Sequence, residues 1–295
     1  MDIGVCGTGK MGAAIGLRLI DLGHRLTVWN RDGAKTAPLV SAGAARAETP
    51  AGVVAASELT ISMLLNAEAL DAVYRGSGGI LSGGLPSKLV VDMSTVLPET
   101  EVALAASARE RGGAFLECPV GGTVGPARNG QLFGLAGGEA ADFARAKPVL
   151  EGLCRRLEHV GPVGAGATMK LAINLPLIIY WQALGEALAL ANPLGLPPER
   201  LIDILADTAG AAKGITARGP DIVKGLAGEP PGAGAFDISA ARKDLATMIA
   251  QAGRLGVSLG VAPAALKTYD AAIEAGLGSA DAGRIAVYIA ARGAA

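Results

Sequence analysis

Over the first 160 residues, short continuous apolar runs alternate with stretches of helical period. Residues 3–6 (IGVC), 25–30 (RLTVWN), 59–64 (LTISML), 88–94 (KLVVDMS) and 115–120 (FLECPV) read as strands. Residues 10–23 (KMGAAIGLRLIDLG) read as a helix ending at Gly23, and further helical segments fill the intervals. Strands that are apolar on both faces, joined by helical crossovers, predict an α/β unit with a mostly parallel, doubly wound sheet covered on both sides. Residues 131–138 and 155–161 predict two more strands that close the unit. From about residue 165 the pattern is helical, broken at 192–199, 209–215 and 225–236. The expected organisation is an α/β unit over 1–162 and an all-α unit over 163–295, joined by a long helix.

That joining helix carries an unusual pattern. Residues 171–191 form a nearly unbroken apolar run, interrupted by Asn174, Pro176, Gln182 and Glu186 and ended by Asn192–Pro193. The run approaches membrane-spanning length, but its interruptions favour a buried helix over a membrane span. Being apolar around most of its circumference, it needs cover on all sides, from two domains, two subunits or both. A homodimer or homotetramer is therefore expected. A lone lysine, Lys170, stands at the start of this run, and Asn174 lies on the same face one turn later. A buried lysine loses hydration, so its ammonium finds a partner or its pKa falls. Tuned in that way, it can give a proton to a developing alkoxide. A lysine near a helix end can instead snorkel to solvent. This segment alone leaves both readings open.

Composition narrows the picture. Half the chain (51%) is hydrophobic, only 3% is aromatic, and there are 43 glycines, so the core must be aliphatic and closely packed. The net charge of −1, with no basic run, argues against a nucleic-acid partner. Three cysteines, Cys6, Cys118 and Cys154, have no motif spacing, which fits a reducing, cytoplasmic setting. The chain enters a strand at once, without a charged region and apolar stretch of the secretory type. No His, Cys or Asp group has metal-ligand spacing, so no metal is expected.

The first strand runs into Gly7-Thr8-Gly9-Lys10-Met11-Gly12 at the head of the first helix. This is the GxGxxG fingerprint in its required context, so the N-terminal unit reads as a Rossmann domain. Gly7 serves the tight turn, Gly9 lets the backbone approach a pyrophosphate, and Gly12 lets helix and strand pack closely. The helix N-terminus adds N–H groups and a positive dipole for the phosphates. A glycine-rich turn needed only for packing is the competing reading. The second strand ends in Asn30 and Arg31, with Asp32 next. Arg31 can take a ribose 2′-phosphate, which favours NADP(H), whereas a nearby acidic residue keeps NAD(H) possible.

With these motifs in place, the chain resembles the β-hydroxyacid dehydrogenases, whose best-known member is 3-hydroxyisobutyrate dehydrogenase. Four ordered blocks carry the resemblance. They are GTGKMG, DMST at 92–95, Gly164-x-Gly166-x3-Lys170-x3-Asn174, and Lys243-Asp244-Leu245. The resemblance implies hydride transfer with NAD(P)H, with Lys170 as general acid or base and Asn174 holding the substrate beside it. It implies that Ser94 contacts substrate, that Thr95 lies at the nicotinamide end, and that Met63, Leu64 and Asn66 belong to the loop covering the cofactor. It also implies that Lys243 reaches substrate and cofactor from the helical domain. Without the other blocks, Lys243–Asp244 would read as a surface ion pair worth little.

One block departs from the family pattern. Family members usually carry Pro-Val-Ser-Gly-Gly as a clamp for the substrate carboxylate, whereas this chain reads Pro119-Val120-Gly121-Gly122-Thr123. Gly122 keeps its backbone N–H and Thr123 adds a hydroxyl, so both are expected at the substrate with an altered clamp. Tyr180 and Trp181 are expected in core or pocket, and His24, His159 and Cys118 as structural residues. The expected activity interconverts a small β-hydroxyacid and its semialdehyde. An imine reductase and a non-catalytic NADP-binding module are the competing readings, and the retained Lys170 weighs against both.

Overall fold

A computed structural model describes residues 1–292. The chain divides into two compact units, Met1–Lys170 and Leu171–Ala295. In the first unit the order is β1 (Asp2–Cys6), α1 (Lys10–Asp21), β2 (Arg25–Trp29), α2 (Ala37–Ser41), β3 (Ala45–Arg46), α3 (Pro50–Ala55), β4 (Leu59–Ser62), α4 (Ala67–Arg75) and β5 (Leu89–Asp92). Then come α5 (Pro98–Glu110), β6 (Ala114–Glu117), β7 (Val120–Gly121), α6 (Val124–Arg128), β8 (Leu132–Gly138), α7 (Ala140–Leu153) and β9 (Cys154–Gly161).

These strands form one sheet in the order β3-β2-β1-β4-β5-β6-β8-β7, with β9 paired to β8. Pairing is parallel from β3 through β6 and between β8 and β9, and antiparallel where β8 meets β6 and β7. All four residues of β4 and all four of β5 are buried, which is why their sequences read as continuous apolar runs. The chain leaves β1 toward β2 and β3, then returns to place β4 on the other side of β1. That reversal makes a crevice at the carboxyl ends of β1 and β4, where such sheets bind ligands. The two-residue strands β3 and β7 were not expected, being too short to show a period.

Helix α8 (Ala165–Ala191) begins in the first unit and runs into the second. The division falls inside α8, later than the boundary expected at 162/163, because the first turn of α8 is hydrogen-bonded to the end of β6. The second unit continues with α9 (Pro198–Ala206), α10 (Gly214–Leu226), α11 (Ile238–Arg254), α12 (Ala262–Ala272) and α13 (Arg284–Arg292). In the core of that unit, Leu171, Ile178, Trp181, Leu184 and Leu188 of α8 pack with residues such as Ile222, Leu245, Tyr269 and Ile285. Spacings of three and four make this a single stripe. The helix is thus not buried all round, as its composition had suggested. Only 39% of its most apolar window is covered, and Leu190 is 84% exposed. Among the described residues, those of the second unit's core pack against one stripe of α8.

A polar cluster lies buried at the carboxyl end of the sheet. Asp92 and Glu117 are register partners on β5 and β6, and Glu101 of α5 is 1% exposed, with its carboxyl beside that of Asp92. Asp92 accepts from the Ser94 amide (2.9 Å) and the Ser62 hydroxyl. Burial pushes the Asp92 carboxyl up, and pushes Glu117 up to about 7 against three N–H bonds. Burial, with the charges of Asp92 and Glu117 added, raises Glu101 well above the carboxylate range. The folded protein therefore keeps a proton on Glu101 that the unfolded chain releases above pH ~4.3. A proton held only in the folded state means that stability falls as pH rises, by at most about 1.4 kcal/mol per pH unit for one site. Glu101→Gln should flatten this dependence and raise the melting temperature at pH 8 relative to the parent. Thermal melts from pH 5 to 8 check this, and parallel curves for the two proteins would contradict it.

Candidate active site

The glycine loop has the geometry its spacing predicts. Gly7 adopts φ +96°, and a Cβ there would run into the Met63 carbonyl oxygen. A Cβ on Gly12 would collide with the Gly7 carbonyl, so its absence lets α1 start against the strand end. Gly9, by contrast, has nothing within 4 Å of its missing side chain, and it caps α1 without any side-chain bond. Open space in front of a helix N-terminus suits a pyrophosphate.

The loop is held from the second strand. Asn30 accepts from the Thr8 amide (3.0 Å) and donates to the Asp32 carbonyl (2.9 Å), while the Thr8 hydroxyl donates to the Lys35 carbonyl (3.0 Å). The Asp32 carboxylate turns back to cap its own helical turn, accepting from the Ala34 amide at 3.1 Å. Arg31 and Lys35 are exposed and line a groove of about 400 Å³ with Gly7, Gly9, Trp29 and Leu64. Lys35 was not anticipated, because no periodicity marks a residue in the turn after Asp32. Lys10 and Met11 open α1, at the N-terminal end of the loop's helix.

On the other side of the groove, Met63 and Leu64 follow β4, and Asn66 caps α4 by accepting from the Ala69 amide (2.9 Å). Ser94 is 1% exposed. Its hydroxyl accepts from the Leu64 amide (3.0 Å) and donates to Asp92 (3.2 Å). The expected substrate-contacting hydroxyl is thus already engaged in holding the 63–66 loop to the end of β5. Thr95 follows it, half-buried. Gly122 has φ +129° and is exposed, and Thr123 precedes α6 without a capping bond of its own. A Cβ on Gly122 would be crowded, sitting 2.8 Å from Leu132.

Glu117 ends β6, immediately before this segment, and is fully buried. Its Oε1 accepts from the amides of Gly164 (2.6 Å) and Gly166 (2.8 Å), and its Oε2 from Ala167 (3.3 Å). Lys170 lies on the next turn of α8 and is 7% exposed, so it does not snorkel.

In the second unit, Asn174 is 8% exposed and donates through Nδ2 to Asp244 Oδ2 at 3.1 Å. Lys243 Nζ lies 2.7 Å from Asp244 Oδ1. Asp244 is 3% exposed, so Lys243–Asp244 is not a surface pair. Its carboxylate bridges the amide and the ammonium and fixes the orientation of both. The signal was present in the sequence, since Asp244 interrupts the apolar stripe Ala241, Leu245 and Met248 of α11. Trp181 is fully buried, edge-on to Tyr180, and belongs to the core. His159 hydrogen-bonds the Gly138 carbonyl (2.8 Å) and stacks on Phe143, and Cys118 is buried with its thiol pushed up by burial. Among the described residues, no group of His, Cys, Asp or Glu could hold a metal.

Comparison with known proteins agrees with both units. The family model for the NAD binding domain of 6-phosphogluconate dehydrogenase matches residues 2–161. That for the NAD-binding of NADP-dependent 3-hydroxyisobutyrate dehydrogenase matches 164–289. Glyoxylate/succinic semialdehyde reductase 1 of Arabidopsis thaliana is 36% identical over 95% of this chain and 96% of its own length. The 3-hydroxyisobutyrate dehydrogenase of Pseudomonas aeruginosa is 34% identical, with 85% of each chain covered. A solved 3-hydroxyisobutyrate dehydrogenase of Mycobacterium tuberculosis with L-serine superposes at a TM-score of 0.83, with 25% identity over 98% of each chain. The glycine loop before α1, the lysine of α8 and these matches along the whole chain have one common account: this protein belongs to the β-hydroxyacid dehydrogenase family, the NAD(P)-dependent oxidoreductases of hydroxyacids.

Proposed function

We propose that this enzyme is an NADPH-preferring reductase of a small semialdehyde or aldehyde acid, and that Lys170 is its general acid. The observation that carries the reading is Lys170 itself, a lysine at 7% exposure with Asn174 one turn further along α8. When bound, the nicotinamide supplies the hydride to the carbonyl carbon. The Lys170 ammonium gives its proton to the carbonyl oxygen, and the same group takes it back when the alcohol is oxidised. Asn174, oriented by Asp244, offers hydrogen bonds beside that oxygen, and Lys243 is held in place by the same carboxylate.

Support for NADPH comes from the end of β2. Asp32 caps its own turn through Oδ1 and lines the groove beside Arg31 and Lys35, so two cations face one carboxylate where a 2′-phosphate would lie. The substrates for which the two relatives are named support a short acid bearing an aldehyde or a hydroxyl. Gly121, in place of the usual serine, gives the carboxylate clamp one hydroxyl fewer and shifts its polar contacts toward Gly122 and Thr123. The uncovered, apolar side of α8 supports a second copy of the chain as its cover, in a homodimer or homotetramer.

The test is NADPH consumption with glyoxylate and with succinic, methylmalonic and tartronic semialdehydes, and a cyclic imine as the competing substrate. At least one carbonyl acid should be turned over faster than the imine. Lys170→Ala should lower kcat by about 10²–10⁴-fold while NADPH affinity stays within about twofold. Comparable losses of both would sink the assignment. Arg31→Ala should raise KM for NADPH about 10- to 100-fold and leave KM for NADH nearly unchanged; an equal rise for both cofactors would argue against the 2′-phosphate contact. Light scattering at micromolar concentration should give a mass of two or four chains, and a monomer would count against the covered helix.

A further inference from the structure

We propose that Glu117 is a positioning residue for proton transfer. Its buried carboxylate seats the first turn of α8 against the end of β6, and so sets the place of Lys170 relative to the substrate loop that Glu117 itself precedes. The inference rests on the reading of Lys170 as proton donor.

The first amides of a helix have no partners within it and must find them elsewhere. At the head of α8 one side chain takes three of them, from Gly164, Gly166 and Ala167, at 2.6, 2.8 and 3.3 Å. Above about pH 7, where Glu117 is ionised, these bonds are charge-assisted and stronger than neutral ones, and the carboxylate complements the positive end of the helix dipole. The seat is shaped for it on every side. Gly164 adopts φ +99°, which turns its amide toward the carboxylate. A Cβ on Gly166 would run into the Leu135 carbonyl and approach Glu117 Oε1 to 3.1 Å. A Cβ on Gly137, on the neighbouring β8, would collide with Oε1 itself. In the Gly164-x-Gly166 half of the lysine motif, Gly164 thus serves a positive φ, and Gly166 lets the helix start approach the Leu135 carbonyl and Glu117.

Lys170 follows Gly166 by four residues, one turn or about 6 Å along the axis. Fixing the amides of 164, 166 and 167 fixes both the axial position and the rotation of that turn. On the other side, the chain leaves Glu117 directly into Cys118-Pro119-Val120-Gly121-Gly122-Thr123. Two segments distant in sequence, the loop altered for substrate and the helix bearing the lysine, thus share one anchor. Displacing a catalytic group by about 1 Å can cost 10²-fold in rate without loss of binding.

The test compares Glu117→Ala, Glu117→Gln and Lys170→Ala with the parent enzyme, using glyoxylate as substrate and NADPH deuterated at the transferred position. Gln keeps one carbonyl oxygen for Gly164 and Gly166 but turns an amide N–H toward Ala167. Glu117→Ala should lower kcat about 10²-fold, and Glu117→Gln should recover roughly a tenfold part of that loss. In both, NADPH affinity should stay within about twofold and the isotope effect on kcat should rise as the chemical step becomes limiting. Parent-like kcat and isotope effect in Glu117→Gln would overturn the proposal, whether or not Glu117→Ala can be purified. A loss of NADPH affinity equal to the loss of kcat would also overturn it, by making the role one of general structure. Surviving turnover in Lys170→Ala would fail the proton-donor reading instead. An inactive Lys170→Ala beside fully active Glu117 variants would fail this inference alone.

Discussion

A carboxylate with no exposed surface accepts three amide hydrogen bonds at the start of a helix, and much of the first unit is arranged around that contact. Burying an ionised carboxyl is expensive unless the lost hydration is replaced by donors. Here the donors are the helix's own unpaired amides, so the helix start and the strand end satisfy each other. The consequences reach three separate stretches of sequence. Gly137 and Gly166 must lack side chains, Gly164 must adopt a positive φ, and the long helix must begin where it does.

The cofactor side follows a related logic, in which polar side chains are spent on the loop so that its backbone can face the ligand. Asn30 and Thr8 stitch the glycine loop to the turn after β2, Asn66 caps α4, and Ser94 ties the loop over the groove to Asp92. Several of these residues were expected as direct contacts with cofactor or substrate. In the folded chain their side chains are committed to scaffolding, which pre-organises the groove and reduces the ordering a ligand must impose. Asp32 shows the functional consequence most directly. An acidic residue at that position would ordinarily speak for a ribose diol, but here one of its oxygens caps the turn and it shares the groove with Arg31 and Lys35.

Much of the architecture was legible before any coordinates. Continuous apolar runs identified β1, β4, β5 and β6, because strands covered on both faces leave no alternation to misread, and β2 was legible although its burial alternates. Gly7 and Gly12 of the fingerprint answer steric demands that only glycine meets, and Gly9 leaves open space at the helix start. Lys170 and Asn174 were legible as a same-face pair because helical spacing is fixed by geometry. Pairs that depend on distant segments were not. Asp244 looked like half of a surface ion pair, yet it is a buried bridge from Lys243 to Asn174, seventy residues away in the chain. Glu117 looked like one polar residue in a strand, since its partners lie some fifty residues later. The long helix looked uniformly buried because hydropathy counts apolar residues and does not say whether the same chain supplies their cover.

Local rules, acting over a few residues, thus determined the strands, the helices, the glycine loop and the identity of the proton-donor candidate. Steric limits on φ and ψ, the 3.6-residue turn and the cost of exposing apolar runs operate without regard to the rest of the molecule. Tertiary structure decided which polar groups are spent on the scaffold and which are left for chemistry. Whether a buried carboxyl, hydroxyl or amide has a partner depends on atoms brought together only by folding. For that reason Ser94, Asp32 and Asp244 could be named from the sequence and Glu117 could not, while the work each one does was visible only in the fold.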